Sequence, residues 1–155
     1  MDTFTDIFDC KLYNKKDILK WELPKKIIQK LGIDEYYYFF LATPREESHE
    51  GHKHIHLSIF PTKYSSINVL EVAISTLNPK ILEKILKTVV KHKFDIITST
   101  GTCKAKNICY FGIFFSKPPE SSIKDLQLEV SKIKEIKNVK ISNYTCDGYC
   151  AEPTL

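Results

Sequence analysis

The chain has 155 residues, 43% of them hydrophobic, which is ordinary for a folded globular protein and leaves room for one domain or two small ones. No apolar run approaches the ~20 residues of a membrane span. The acidic start, Met1 to Asp6, lacks the charged and apolar regions of a secretory signal, so a cytoplasmic protein with no membrane partner is expected.

The net charge of +4 is unevenly spread. Residues 1–60 hold nine basic and ten acidic side chains, yet within 11–30 seven lysines face only Asp17 and Glu22. That local patch suits phosphate. Arg45 is the sole arginine, so paired arginine–guanine readout is nearly excluded. Any contact with DNA would rest on lysines against phosphate and on DNA shape.

In chain order, a strand is predicted over Thr5–Tyr13, then a polar turn at Asn14-Lys15-Lys16-Asp17 and a short strand over Ile18–Leu23. Pro24 suits the first position of a helix running to Leu31, and Gly32 suits the left-handed position that ends it. The aromatic run Glu35–Ala42 reads as a strand. Pro44–Lys53 reads as a polar loop and His54–Phe60 as another strand. One short helix among short strands buries little surface alone, so a module over residues 1–61 is expected to interleave with a second copy. Residues 62–66 form a linker.

Residues 67–155 read as a second module. Leu70, Val72 and Ile74 alternate in a strand over Ile67–Thr76. Asn78-Pro79 opens a helix to about His92, with Ile81, Leu82, Ile85, Leu86, Val89 and Val90 on its apolar face. Phe94–Cys103 and Ile108–Ser116 form a hairpin. Ser121 or Ser122 caps a helix carrying Ile123, Leu126, Val130 and Ile133. Val139 and Ile141 belong to a last strand. The order β-α-β-β-α-β is that of a split βαβ, ferredoxin-like unit with two helices on one face of an antiparallel sheet. The fold class is α+β.

Five cysteines, an odd number without CxxC spacing, argue against a zinc knuckle. Cys103 and Cys109 are placed to face each other across the hairpin. Both the reduced and the disulfide state stay open for them. Cys10 sits in the first strand, and Cys146 and Cys150 lie in a turn-like tail.

Leu23-Pro24-Lys25-Lys26 and Leu31-Gly32-Ile33 resemble the AbrB/SpoVT swapped-hairpin family. The resemblance implies two chains interleaved into one β-barrel, with basic residues ahead of the proline reaching DNA. Carried onto this chain, those are Lys15, Lys16 and Lys20, with Lys11 and Lys25 nearby. The segment from about Asn68 to Tyr144 resembles an ACT domain, through its element order and the passage Leu86–Ile97. That resemblance implies side-by-side pairing and the binding of a small-molecule effector such as an amino acid. The loop Thr76-Leu77-Asn78-Pro79-Lys80 is the candidate ligand site, with the helix start at Asn78 offering free N–H groups to a carboxylate.

Four of five histidines fall between His49 and His56. On a strand, His52, His54 and His56 share one face, and neutral imidazoles two residues apart can hold Zn²⁺ or Ni²⁺, with Glu46, Glu47 or Glu50 adding oxygen. The plain alternative is a solvated polar face. No Ser/His/Asp or Cys/His arrangement, phosphate loop or dinucleotide fingerprint is present, so no enzyme activity and no cofactor are expected. The reading is a small homodimeric transcriptional regulator. Two rivals stay open: a ligand-binding or scaffolding dimer without a DNA role, and a metal-binding protein built on the His52–His56 strand.

Overall fold

The computed structural model describes residues 8–44, 55–116, 122–146 and 150–151. Among them the chain is α+β, with four helices and two open antiparallel sheets in two compact units. One unit comprises Asp6–Ile67 and Tyr144–Cys150, and the other is built on Asn68–Asn143.

In the first unit, β1 (Phe8–Asn14) pairs antiparallel with β2 (Tyr38–Pro44), which pairs antiparallel with β3 (Ser58–Thr62). Two short helices, α1 (Lys15–Leu19) and α2 (Lys25–Leu31), lie between β1 and β2 in the chain. The helix α1 stands where a turn and a strand over Ile18–Leu23 were expected. Asn14 is the reason: its Oδ1 accepts the Asp17 N–H at 3.0 Å and caps the helix, and Asp17 sits favourably in the first turn. Ile18 and Trp21 join one core at a spacing of three, which suits a helical turn and not a strand.

Gly32 ends α2 as predicted, at φ 65° and ψ 45°, its N–H donated to the Gln29 carbonyl at 3.1 Å. A Cβ there would lie 3.2 Å from the Tyr36 ring. Pro24 sits one place earlier than expected, in the extended cap position, with its carbonyl accepting from the N–H groups of Ile27 and Ile28 at 2.9 and 3.1 Å. The aromatic strand starts at Tyr38 rather than Glu35. The Gly32 carbonyl accepts the N–H groups of Glu35 and Tyr36 at 2.9 and 3.0 Å, and that further turn consumes the intervening residues. Ile18, Leu31, Ile33 and Phe39 form the buried centre of this unit, flanked by Tyr13, Trp21, Leu23, Ile28, Tyr36 and Ile59.

β3 begins at Ser58, not His54, and runs to Thr62, while β4 begins at Ser66. Only residues 63–65 lie between these two strands. The three-stranded sheet is open, with β1 and β3 at its edges. An interleaved barrel requires strands from a second chain.

The second unit has the β-α-β-β-α-β order: β4 (Ser66–Ile74), α3 (Pro79–Lys91), β5 (Asp95–Ala105), β6 (Ile108–Ser116), α4 (Ile123–Ser131) and β7 (Ile136–Thr145). A two-residue strand, β8 (Cys150–Ala151), was not anticipated and gives the sheet order β5-β6-β4-β7-β8. Ile81, Ile85 and Val89 of α3, with Ile123, Leu126 and Val130 of α4, pack on Leu70, Val72, Ile113, Phe115 and Ile141 of the sheet. Of the two candidate caps for α4, Ser122 serves, its hydroxyl oxygen accepting the Asp125 N–H at 3.2 Å.

The β5–β6 register sets Cys103 opposite Cys109, and the two are joined by a disulfide with Cα atoms 4.0 Å apart. The bond closes a short loop that the hairpin already closes, so its contribution is modest, about 2 kcal/mol at most. Accordingly, the Cys103→Ser/Cys109→Ser protein should unfold at slightly lower urea. Reductant should produce the same shift in the parent protein and none in the double variant.

Candidate nucleic-acid interface

The lysines predicted to meet DNA all lie in the first unit, on β1, α1, its C-cap and the first residue of α2. Ile18 anchors α1, with no exposed surface. At ~100° per residue, Lys16 and Lys20 stand about 40° apart and about 160° from Ile18, so both project away from the core. Both are exposed. Lys15 lies only about 60° from Ile18 by the same geometry. It is accordingly more enclosed, its side chain 33% exposed and its Nζ 3.9 Å from Asp34 Oδ1. Asp34 offsets part of its charge.

Lys11 is exposed on β1, with its Nζ 4.9 Å from the centre of the Tyr13 ring. Tyr13 meets Trp21 edge-on, with ring centres 4.7 Å apart. The chain Lys11–Tyr13–Trp21 therefore ties the strand lysine to the turn following α1. Lys25 is exposed at the start of α2, just beyond Glu22, whose φ of 53° bends the chain between the helices. Leu19 is half exposed beside Lys20 and was not singled out from the sequence. The sequence signal for this arrangement is Asn14-x-x-Asp17, a helix start read there as a turn.

The loop expected to bind an effector is already committed to internal bonds. Pro79 has no N–H, the Lys80 N–H is donated to Asn78 Oδ1 at 2.9 Å, and those of Ile81 and Leu82 are donated to the Asn78 carbonyl at 3.0 and 3.1 Å. The expected free N–H groups for a carboxylate are thus taken. Leu77 lies over Gly101 of β5, where a Cβ would come within 3.1 Å of its Cδ2. Thr76 is exposed at the mouth of the same loop.

His52 and His54, with Glu46, Glu47 and Glu50, lie outside the described residues. His56 precedes β3 instead of standing on a strand, and its carbonyl accepts the Thr43 hydroxyl at 2.8 Å. Among the described residues, no three His, Cys, Asp or Glu side chains gather as a metal site. No helix among them is long and apolar enough to cross a membrane.

A charged contact that sequence spacing could not reveal joins α3 to α4. Lys91 Nζ donates to Glu129 Oε1 at 2.7 Å, and His92 Nε2 meets Glu129 Oε2. The Lys91 hydrogen bond foremost, then that of His92, holds the Glu129 carboxyl below the usual glutamate range. A lowered carboxylate pKa stabilises the fold above the ordinary value and loses that contribution as pH falls through the lowered one. Glu129→Gln should therefore flatten the decline in thermal midpoint on the acid side of the glutamate range in a pH series.

No family model and no curated protein matches this chain.

Proposed function

We propose that this protein is a small homodimeric DNA-binding regulator. Its first unit, on this reading, meets the phosphate backbone through Lys16 of α1 and Lys20 at its C-cap, with Lys15, Lys11 and Lys25 alongside. The observation that carries the reading is the projection of Lys16 and Lys20 directly away from buried Ile18, on a helix fixed at its start by Asn14. A lysine pair on a seated helix presents its charge at lower entropic cost than the same pair on a loop.

Dimerisation is supported by the apolar surface this unit leaves exposed. Leu19, Ile27, Tyr37, Ile55 and Leu57 are 42–77% exposed, and the edges of the open sheet are β1 and β3. A second copy adding its strands, as in the swapped-hairpin family the sequence resembles, would cover both features. The element order and the strand order β5-β6-β4-β7 suit the ferredoxin-like arrangement of an ACT-type pairing unit.

Fluorescence anisotropy with duplex DNA across a salt series tests this. Binding should weaken steeply with salt, and Lys15→Gln/Lys16→Gln/Lys20→Gln should lower the slope of log K against log salt by about 2.7, or about 0.9 per lost phosphate contact. Salt-independent binding, or an unchanged slope in the triple variant, would overturn it. The near balance of nine basic and ten acidic residues in 1–60 favours, in that event, a ligand-binding dimer without a DNA role.

A further inference from the structure

A cleft of about 520 Å³ opens between the outer face of α4 and the start of β7, within the second unit. On α4 its lining falls at Lys124, Gln127, Leu128 and Ser131, spacing that places all four on one helix face. The core-facing residues Ile123, Leu126 and Val130 occupy the other side. β7 contributes Ile136 and Val139, half-buried against the core, and exposed Lys137.

Three chemistries meet there. Lys124 and Lys137 are exposed and make no ion pair among the described residues. Leu128 is 53% exposed and, with Ile136 and Val139, provides an apolar wall. Gln127 Oε1 is shielded from water and has no hydrogen-bond donor among the described residues. No bond pins that oxygen, so turning the amide toward the cleft breaks none at Oε1 and offers the acceptor to a ligand. Ser131 donates its hydroxyl proton to the Leu128 carbonyl at 2.7 Å, which leaves its lone pairs as a second acceptor.

We propose that this cleft binds a small apolar carboxylic acid with a hydrogen-bond donor beside the carboxylate. Lys124 and Lys137 take the carboxylate, the Leu128–Ile136–Val139 wall takes the apolar body, and Gln127 Oε1 accepts the donor. Two lysines unneutralised beside an apolar wall favour an anion over a neutral or cationic ligand, and the stranded amide oxygen favours a hydroxy or amino acid over a simple fatty acid. This site is distinct from the Thr76–Lys80 loop and does not depend on whether the chain binds DNA.

Amide-resolved NMR titration of the full chain tests it, with hydroxyisocaproate, isocaproate (no hydroxyl) and isoamyl alcohol (no charge) as probes. Hydroxyisocaproate should shift amides of residues 124–139 saturably, with affinity of about 1 mM or tighter. Isoamyl alcohol should bind there more weakly or not at all. Lys124→Glu/Lys137→Glu, both at exposed positions, should weaken the hydroxy acid roughly tenfold. Gln127→Leu should abolish the preference for hydroxyisocaproate over isocaproate while leaving isocaproate bound. No saturable shift in 124–139, equal binding of the neutral alcohol, or indifference to the double charge reversal would overturn the assignment.

Discussion

Phe39→Ala is expected to cost about 3–5 kcal/mol, as much as a large part of a domain's stability. Phe39 has no exposed surface, lies opposite Tyr13 of β1 and Pro61 of β3 on the middle strand, and packs with Ile18, Leu31 and Ile33. A core centred on four buried side chains, with Ile18 and Phe39 fully enclosed, has few neighbours able to move into the void. The cost therefore falls at the upper end for an aromatic truncation. Because α1 is seated through Ile18 on the same core, the lysines of the proposed interface should lose their placement along with the fold. Trp21 is the single tryptophan and flanks this core, so its fluorescence reports this unit directly. The urea midpoint read from Trp21 should fall sharply in Phe39→Ala. Gln29→Ala, at an exposed position of α2, should change stability by no more than about 0.5 kcal/mol. Similar midpoints for the two variants would mean that the core is not organised around Phe39.

The contrast between α1 and α3 shows which sequence signals carry structure. In α3 the signals agree: Asn78 caps, Pro79 takes the first turn, and six apolar residues recur at helical spacing over 13 residues. Consistent local cues over that length leave little to tertiary context. In α1 the helix has five residues, and Ile18, Leu19, Trp21 and Leu23 satisfy a loose strand pattern as well as a helical one. The side-chain cap from Asn14 decides between them, and a single capping bond is a weak signal against a β-like run. Gly32 was readable because a left-handed end to a helix strongly favours glycine. The start of β2 was not, because the second turn after Gly32 rests on backbone hydrogen bonds that any residue can make. The Lys91–Glu129 contact spans 38 residues and belongs to the packing of α3 on α4, which no local pattern encodes. The candidate cleft is of the same kind: Lys124, Gln127 and Leu128 read as an ordinary solvated helix face until Ile136 and Val139 are brought beside them.

The helix α4 should respond to substitution on its two faces in opposite ways. Leu126→Ala is expected to cost about 2–5 kcal/mol. Leu126 has no exposed surface and belongs to the core that includes Ile85 and Val89 of α3 and Ile113 and Ile141 of the sheet. Truncating it removes its packing and leaves a hole that residues fixed on two helices and several strands cannot all close. Leu128, two positions on, is 53% exposed, and Leu128→Ala should change stability by only about 0.5 kcal/mol while weakening occupancy of the cleft. Urea unfolding followed by far-ultraviolet circular dichroism measures the first effect, and the NMR titration with hydroxyisocaproate measures the second. The pair separates two roles of one helix. Ile123, Leu126 and Val130 hold it to the sheet, and that hold keeps Lys124 and Gln127 at fixed positions beside β7. If Leu128→Ala destabilised the protein as much as Leu126→Ala, the outer face of α4 would be part of the core, and the cleft would be a packing feature rather than a binding site.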